Sequence, residues 1–278
     1  MGTKMAMKAA TLKVPGASLY YEVCGSGPVL LLMPGGPSDA GSFRDITRPL
    51  ATHYTVVTYD PRGLSRSKLE APLDDEHIVE VFADDVHRLL ASVTKDKACV
   101  FASSGGAVIA LELAARHPQQ LDTVVPHEPP SPTLQPDGAR VRAVMEQIAA
   151  SYSAAGIGPA VQIFTDLTRS GPPPAPEGEP TPEMVEEMSR MRGNMDLFFG
   201  PYMLAIARYE PDFAALKAAS CRIVPAVGDE SRGELAHDGG LGLAKRLGTQ
   251  AVVFPGDHGG FAGRAAEFAE KLRDVLEG

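Results

Sequence analysis

The chain has 278 residues, of which 44% are hydrophobic, and a net charge of −9. This length suffices for one large α/β domain with an insertion or for two small domains. The acidic balance and the lack of a basic stripe argue against nucleic-acid binding. The longest apolar run, 28–34, is far shorter than the about 20 residues of a membrane span. Residues 1–8 have two lysines but no hydrophobic segment, so we expect no signal peptide. The three cysteines are scattered and odd in number, so we expect a cytoplasmic protein with reduced thiols and no metal. We also expect no membrane contact, and a homodimer is possible.

Strands and helices alternate along the first half of the chain. Apolar and β-branched runs predict strands over 10–14, 18–23, 29–33, 54–59, 98–101 and 121–125. Apolar residues at helical spacing predict helices over 42–51, 78–93 and 107–116. Short loops join these elements, which favours a mostly parallel central sheet with helices on both faces.

The pattern changes after residue 130. Residues 131–220 contain no convincing buried strand, and helices are predicted over 140–155 and 183–195 with a Pro-rich linker, 171–180, between them. Strands then return over 221–227 and 250–254, with helices over 241–247 and 264–276. We therefore divide the chain into a core domain (1–130 and 221–278) and a helical cap (131–220) inserted after the sixth predicted strand.

The central motif is the small-residue cluster 102–106, Ala-Ser-Ser-Gly-Gly, between an apolar strand and a helix. It matches the G-x-S-x-G elbow, with Ala102 in place of the first glycine and Ser104 at the nucleophile position. Small side chains are what such a sharp turn requires. The alternative is a small-residue turn without chemistry.

A glycine loop, 34–37, follows the buried strand 29–33. Such a loop can leave backbone N–H groups facing a ligand, so Gly36 and the Gly105 amide are candidate donors to an oxyanion. An ordinary strand-to-helix loop is the alternative.

A serine nucleophile needs a base and an acid that orients the base. His258 follows the last predicted strand and is the best candidate base. Two strand ends offer a carboxylate, namely Glu128 and Asp229, and both keep the order serine, acid, histidine. We favour Glu128, although spacing alone leaves Asp229 open.

As an ordered set, these motifs resemble the α/β-hydrolase fold from about Ser18 to Leu276, together with the loop Tyr-Asp-Pro-Arg-Gly-Leu-Ser-Arg-Ser at 59–67. The family pattern usually has an acid three residues after the glycine that ends the post-cap strand, and this chain has Ser231 there. Ser103-Ser104-Gly105-Gly106 and His127-Glu128-Pro129 are similar to the zearalenone-type lactone hydrolases, in which the glutamate of the His-Glu-x-Pro turn is the acid. That resemblance implies Glu128 as the acid and Gly36 as an oxyanion donor. The chain departs from that group in having no tryptophan and a Pro-rich cap of its own.

The main hypothesis is a serine hydrolase that cleaves a small hydrophobic carboxylic ester or lactone without any cofactor. A second hypothesis keeps the triad but hydrolyses a carbon–carbon bond or cyclises a polyketide-like intermediate. A third is a non-catalytic ligand receptor on the same scaffold. A dehalogenase or epoxide hydrolase is disfavoured, because these resemble the fold with aspartate where this chain has Ser104. A run of Met and aromatic residues over 184–202 indicates either an apolar pocket or simple packing of the cap on the core.

Overall fold

The computed structural model describes residues 6–169 and 179–278. The predicted Pro-rich linker lies outside the described residues except at its end, 179–180. Within the described residues there are ten strands, namely β1 Lys8–Val14, β2 Ala17–Gly25, β3 Val29–Met33, β4 Thr55–Tyr59, β5 Lys68–Leu69, β6 Ala98–Ser103, β7 Leu121–His127, β8 Arg222–Ile223, β9 Ala226–Gly228 and β10 Val252–Phe254. The helices of the first half are α1 Arg44–Leu50, α2 Ile78–Val93 and α3 Gly105–Arg116.

All ten strands form one sheet, with the order β1-β2-β4-β3-β6-β7-β9-β10 and with β5 and β8 beside β2 and β7. β2 runs antiparallel to β1, β4 and β5, whereas all pairs from β4 to β10 are parallel. The carboxyl ends of the parallel strands therefore lie along one edge of the sheet. The predicted fold class, a mostly parallel sheet between helices, is confirmed.

Each central strand contributes to a hydrophobic core on both faces of the sheet. In β3 all five residues are buried; Leu31 and Met33 pack with α2 and α3, whereas Leu30 and Leu32 pack on the other face with α1 and the C-terminal helix. Side chains alternate between the two faces of a strand, so a continuous apolar run is what a doubly covered strand needs.

Residues 131–220, here called the helical segment, carry no strand in their described part. They contain α4 Gly138–Ala155, α5 Ile157–Thr168, α6 Pro182–Gly193, α7 Met195–Leu197, a π-helical turn Phe198–Tyr202, α8 Met203–Arg208 and α9 Phe213–Ala218. Of these helices, α4 and α6 were predicted from the sequence, whereas α5, α7, the π-helical turn, α8 and α9 were not.

The remaining differences from prediction lie near the end of the chain. The strand expected over 221–227 is two short strands, β8 and β9, because Pro225 lacks the N–H that a continuous ladder needs. The helix expected from 241 begins six residues earlier as α10 Leu235–Leu247, and α11 Gly260–Gly263 precedes α12 Ala265–Glu277. The two-residue strand β5 was not predicted, so the helical segment follows the seventh strand.

Candidate active site

Ser104 lies in a strained turn between β6 and α3. Its backbone angles, φ 57° and ψ −126°, fall where residues with a side chain are rare. The strand before it is entirely buried, and the helix after it begins with Gly105 and Gly106. The turn thus sets the Ser104 hydroxyl beyond the end of β6 and at the N-terminus of α3, where the helix dipole favours negative charge.

The glycine loop after β3 packs directly against this turn. A Cβ atom on Gly35 would lie 2.4 Å from the Ser103 carbonyl oxygen and 2.6 Å from the Ser104 Cβ, so only glycine allows this approach. The next residue, Gly36, has a φ of +57°. Its amide nitrogen lies 3.5 Å from the point that a Cβ on Gly105 would occupy. The structure therefore brings the two predicted donor residues together beside Ser104.

Glu128, not Asp229, contacts the imidazole of His258. The Glu128 Oε2 and the His258 Nδ1 are 2.6 Å apart, and Glu128 is fully buried. The other oxygen, Oε1, accepts hydrogen bonds from the Gly228 amide at 2.8 Å and from the Ser231 hydroxyl. Asp229 is exposed, and its Oδ1 accepts a hydrogen bond from the Gly256 amide at 2.7 Å. Its carboxylate serves the turn after β10.

The hydrogen bonds to Glu128 fix its charge state. Burial alone would raise the pKa of this carboxyl, but the hydrogen bond from His258, the electrostatic interactions with His127 and His258 and the hydrogen bond from Ser231 outweigh it and lower the pKa to about 2. An ionised carboxylate only accepts hydrogen bonds, so the Nδ1 of His258 must be the donor. The Nε2 of His258 is then the nitrogen that can take up a proton.

His127 is a buried imidazole behind this pair. It is fully buried, neither ring nitrogen has a hydrogen-bond partner among the described residues, and its ring stacks 6.1 Å from that of His258. Burial lowers the pKa of His127 to about 4. Ligand atoms of His127, Glu128 and His258 lie within 4.8 Å of one another. Because both Glu128 oxygens already accept hydrogen bonds and His127 is sealed in, the group fits a carboxylate–imidazole pair better than a metal site.

Ser104 and His258 face a cavity of about 660 Å³. Among the described residues, none with a formally charged side chain lines it. Its apolar wall comes largely from the helical segment, including Met145, Phe164, Met191, Met195, Phe198, Phe199 and Tyr202. Of the methionines considered in the sequence, Met184 and Met188 lie outside this wall, and Met188 is 57% exposed.

Two residues of the helical segment that the sequence did not indicate bind the glycine loop and the residues just after it. The Asn194 amide donates to the Pro37 carbonyl at 2.7 Å and to the Ser65 hydroxyl at 2.8 Å, and its oxygen accepts from the Ser65 amide. Arg190 forms an ion pair with buried Asp39 at 2.6 Å. Neither residue belongs to a motif, so the sequence carries no local signal for these contacts.

Comparison with known proteins agrees with this architecture. Residues 28–160 match the alpha/beta hydrolase fold family. Over 279 aligned residues the chain is 38% identical to the uncharacterized hydrolase YraK of Bacillus subtilis (strain 168), covering 98% of this chain and 97% of the relative. The chain belongs to the alpha/beta hydrolase fold family.

Solved structures share the fold at lower sequence identity. The enol-lactonase from Burkholderia xenovorans LB400 superposes with a TM-score of 0.71 at 19% identity, over 97% of this chain and 100% of that one. The esterase RhEst1 from Rhodococcus sp. ECU1013 gives 0.70 at 18% identity, over 98% and 99% of the two chains. None of the described helices is both long and apolar enough to cross a membrane.

Proposed function

We propose that the protein is a serine hydrolase that cleaves neutral, apolar carboxylic esters or lactones, with Ser104 as nucleophile, His258 as base and Glu128 as the acid that orients it. The observation that carries this proposal is the 2.6 Å bond from His258 to a fully buried, ionised Glu128 at the cavity that Ser104 faces. A buried carboxylate holds the imidazole in one tautomer and stabilises its protonated form.

In the acylation step, the Ser104 Oγ attacks the substrate carbonyl carbon while the His258 Nε2 takes the hydroxyl proton. The carbonyl oxygen becomes an oxyanion that accepts hydrogen bonds from the amides of Gly36 and Gly105. The C–O bond to the leaving group then breaks, and His258 returns its proton to the alcohol oxygen. In a lactone, the alcohol stays attached to the acyl group.

In the deacylation step, water attacks the acyl-enzyme carbonyl and gives its proton to the His258 Nε2. Collapse of the second tetrahedral intermediate releases the carboxylic acid and restores the Ser104 hydroxyl with that proton. No step needs a metal or an organic cofactor.

The cavity supports the choice of substrate class. A charged group on the substrate would meet no side chain of opposite formal charge among the described lining residues, and burying it there is costly. We propose that the helical segment is a cap that covers the core domain, 1–130 and 221–278. The side chains of this cap would determine which acyl or alcohol groups of a substrate fit the cavity. The resemblance to zearalenone-type lactone hydrolases and the fold shared with an enol-lactonase and an esterase support lactones or esters. Cytoplasmic location and a homodimer stay predictions.

The test measures turnover of a panel of p-nitrophenyl esters, macrocyclic lactones and β-diketones by the wild type and by Ser104→Ala. Ser92→Ala is the matched control, since its hydroxyl bonds the Leu89 carbonyl within α2 and lies outside the cavity lining. We expect ester or lactone turnover that Ser104→Ala abolishes and Ser92→Ala retains. Within the panel, p-nitrophenyl butyrate should exceed its similarly sized carboxylate analogue, mono-p-nitrophenyl succinate, in kcat/KM.

Other outcomes would reject the proposal in distinct ways. Full turnover by Ser104→Ala excludes the nucleophile. Cleavage of β-diketones alone favours the carbon–carbon hydrolase, and formation of a cyclised product without hydrolysis favours the cyclase. A wild type that neither turns over the panel nor reacts with a fluorophosphonate at Ser104 favours the receptor.

A further inference from the structure

We propose that the phenolic hydroxyl of Tyr202 is a third hydrogen-bond donor to the reacting carbonyl oxygen, supplied by the helical segment rather than by the core. The inference rests on the proposed function and deepens it, because it adds a catalytic residue that no motif of the sequence indicates.

The first observation is the position of the hydroxyl. A Cβ atom on Gly105 would lie 2.8 Å from the Tyr202 Oη and 3.5 Å from the Gly36 amide nitrogen. The hydroxyl and the Gly36 amide thus flank the same point beside Gly105, whose own amide is the other proposed donor. The missing side chain at Gly105 is what lets the phenol approach this closely.

The second observation is that the hydroxyl lacks a hydrogen-bond partner in the part of the chain that the structure describes. Tyr202 is 3% exposed and lines the cavity, yet its hydroxyl forms no hydrogen bond to any other described residue. The hydroxyl is therefore free to bond a molecule in the cavity. A substrate oxygen held at Gly36 and Gly105 would supply the acceptor that the described residues do not.

The third observation concerns protonation. Burial raises the pKa of Tyr202, so the phenol keeps its proton at neutral pH and can donate it in a hydrogen bond. Neutral donors in a water-poor cavity stabilise a developing oxyanion more strongly than they would in water.

The ring is also held in place. It packs between Phe82 of the core at 5.6 Å and Phe198 at 6.3 Å between ring centroids. Tyr202 follows a kink in the helical segment, where Gly200 has non-helical backbone angles and Pro201 lacks the N–H that a helical ladder needs.

The test compares Tyr202→Phe with Tyr152→Phe on the best ester of the panel. Tyr152 is a matched control, because its hydroxyl bonds Asp196 and it lies outside the cavity lining. Loss of one oxyanion donor lowers kcat about 100-fold or more in other serine hydrolases. For Tyr202→Phe we expect kcat to fall about 10- to 100-fold with KM nearly unchanged, and the inhibition constant of a trifluoromethyl ketone, which forms a tetrahedral adduct on the serine, to rise by a similar factor. Tyr152→Phe should change neither.

Two results would overturn the inference. One is a Tyr202→Phe variant with unchanged kcat and unchanged ketone affinity. The other is a rise in KM alone, which would place the hydroxyl on a non-reacting part of the substrate. In both cases inactive Ser104→Ala leaves the proposed function standing, whereas active Ser104→Ala rejects the proposed function itself. Circular dichroism melting of each variant sets an assay temperature at which it is folded.

Discussion

The backbone amide of Ser104 donates a hydrogen bond to the carbonyl oxygen of His127 at 2.9 Å. This bond continues the pairing of β6 with β7, in which Ser103 lies opposite His127. The next residue on each strand, Ser104 and Glu128, leaves the sheet with positive φ, 57° and 52°. The proposed nucleophile and the proposed acid thus directly follow two neighbouring, paired strands. Both residues have backbone conformations that are sparsely populated.

The proposed acid is the subject of the first prediction. Glu128→Gln should lower kcat about 10³- to 10⁴-fold, because an amide no longer selects the His258 tautomer with a proton on Nδ1 or stabilises the imidazolium. Asp229→Asn should stay close to wild type, since an amide oxygen can still accept the hydrogen bond from Gly256. Steady-state kinetics on both variants distinguishes the two candidate acids. Loss of activity in Asp229→Asn but not in Glu128→Gln would identify Asp229 as the acid.

The fold and the residues at the strand ends could be predicted because their signals are local. A run such as 29–33 shows burial on both faces, and an elbow of tiny residues shows a sharp turn. The choice between Glu128 and Asp229 could not be made locally, since both follow strands of the same sheet. In the structure, Ser231 occupies the place where the family usually has its acid and donates to Glu128.

The cavity wall was much harder to predict. Tyr202, Phe198 and Asn194 reach the site through the packing of several helices, including α5, which the sequence analysis missed. Helical periodicity marks an apolar face but does not say whether that face meets the core or a cavity. The contacts that matter here, such as Asn194 to Pro37 across 157 positions, are long-range and leave no pattern in the chain.

The second prediction concerns the buried His127. Its folded-state pKa of about 4 lies below the ordinary histidine value of 6.5, so the unfolded chain binds more protons than the folded chain between these values. The contribution of neutral His127 to the free energy of unfolding is therefore fully present above pH 6.5. It is lost as the pH falls toward 4, by about 3 kcal/mol at most. Glu128, lowered from 4.5 to about 2, contributes stability that is lost only below pH 4.5.

The substitution His127→Phe distinguishes the contribution of His127 to the pH dependence of stability from that of Glu128. Urea unfolding at pH 7, 5.5 and 4.5 should show a smaller loss of unfolding free energy in the variant than in the wild type, because the phenylalanine has no proton to take up. The comparison uses the change with pH, so a constant packing cost at this position cancels. If the unfolding free energy changes equally with pH in both proteins over this range, the lowered pKa of His127 is contradicted. His53→Phe, at an exposed position, is the control.

The third prediction concerns the anchor of the glycine loop. Asn194 is the sole asparagine of the chain, and its side chain joins the helical segment to Pro37 and Ser65. Asn194→Ala leaves the Ser65 amide and the Pro37 carbonyl without their partner, which should cost about 2–4 kcal/mol. Activity should fall about tenfold, since small displacements of a donor such as Gly36 weaken catalysis.

Gln162→Ala is the control for Asn194→Ala, because its amide pairs with Asp166 on the exposed side of α5. Urea unfolding and kcat/KM are measured on both variants. If Asn194→Ala retains wild-type stability and wild-type kcat/KM, the loop is held by the Arg190–Asp39 ion pair without its help.

The last prediction tests the contact between Gly105 and Tyr202 by a double-mutant cycle. In Gly105→Ala the new Cβ would lie 2.8 Å from the Tyr202 Oη, which forces the phenol or the helix to move. We expect lower stability and lower kcat. In a Tyr202→Phe background the nearest ring atom, Cζ, would lie 3.3 Å away, so the same substitution should cost less. Urea unfolding of the four proteins should give a coupling free energy of about 1 kcal/mol or more.

The control is Gly158→Ala, whose new Cβ meets no atom within 4 Å. It measures the stability that alanine gains over glycine in a helix without any new contact. Additive effects would mean that the hydroxyl does not occupy the space beside Gly105, and the third donor would lose its geometric basis.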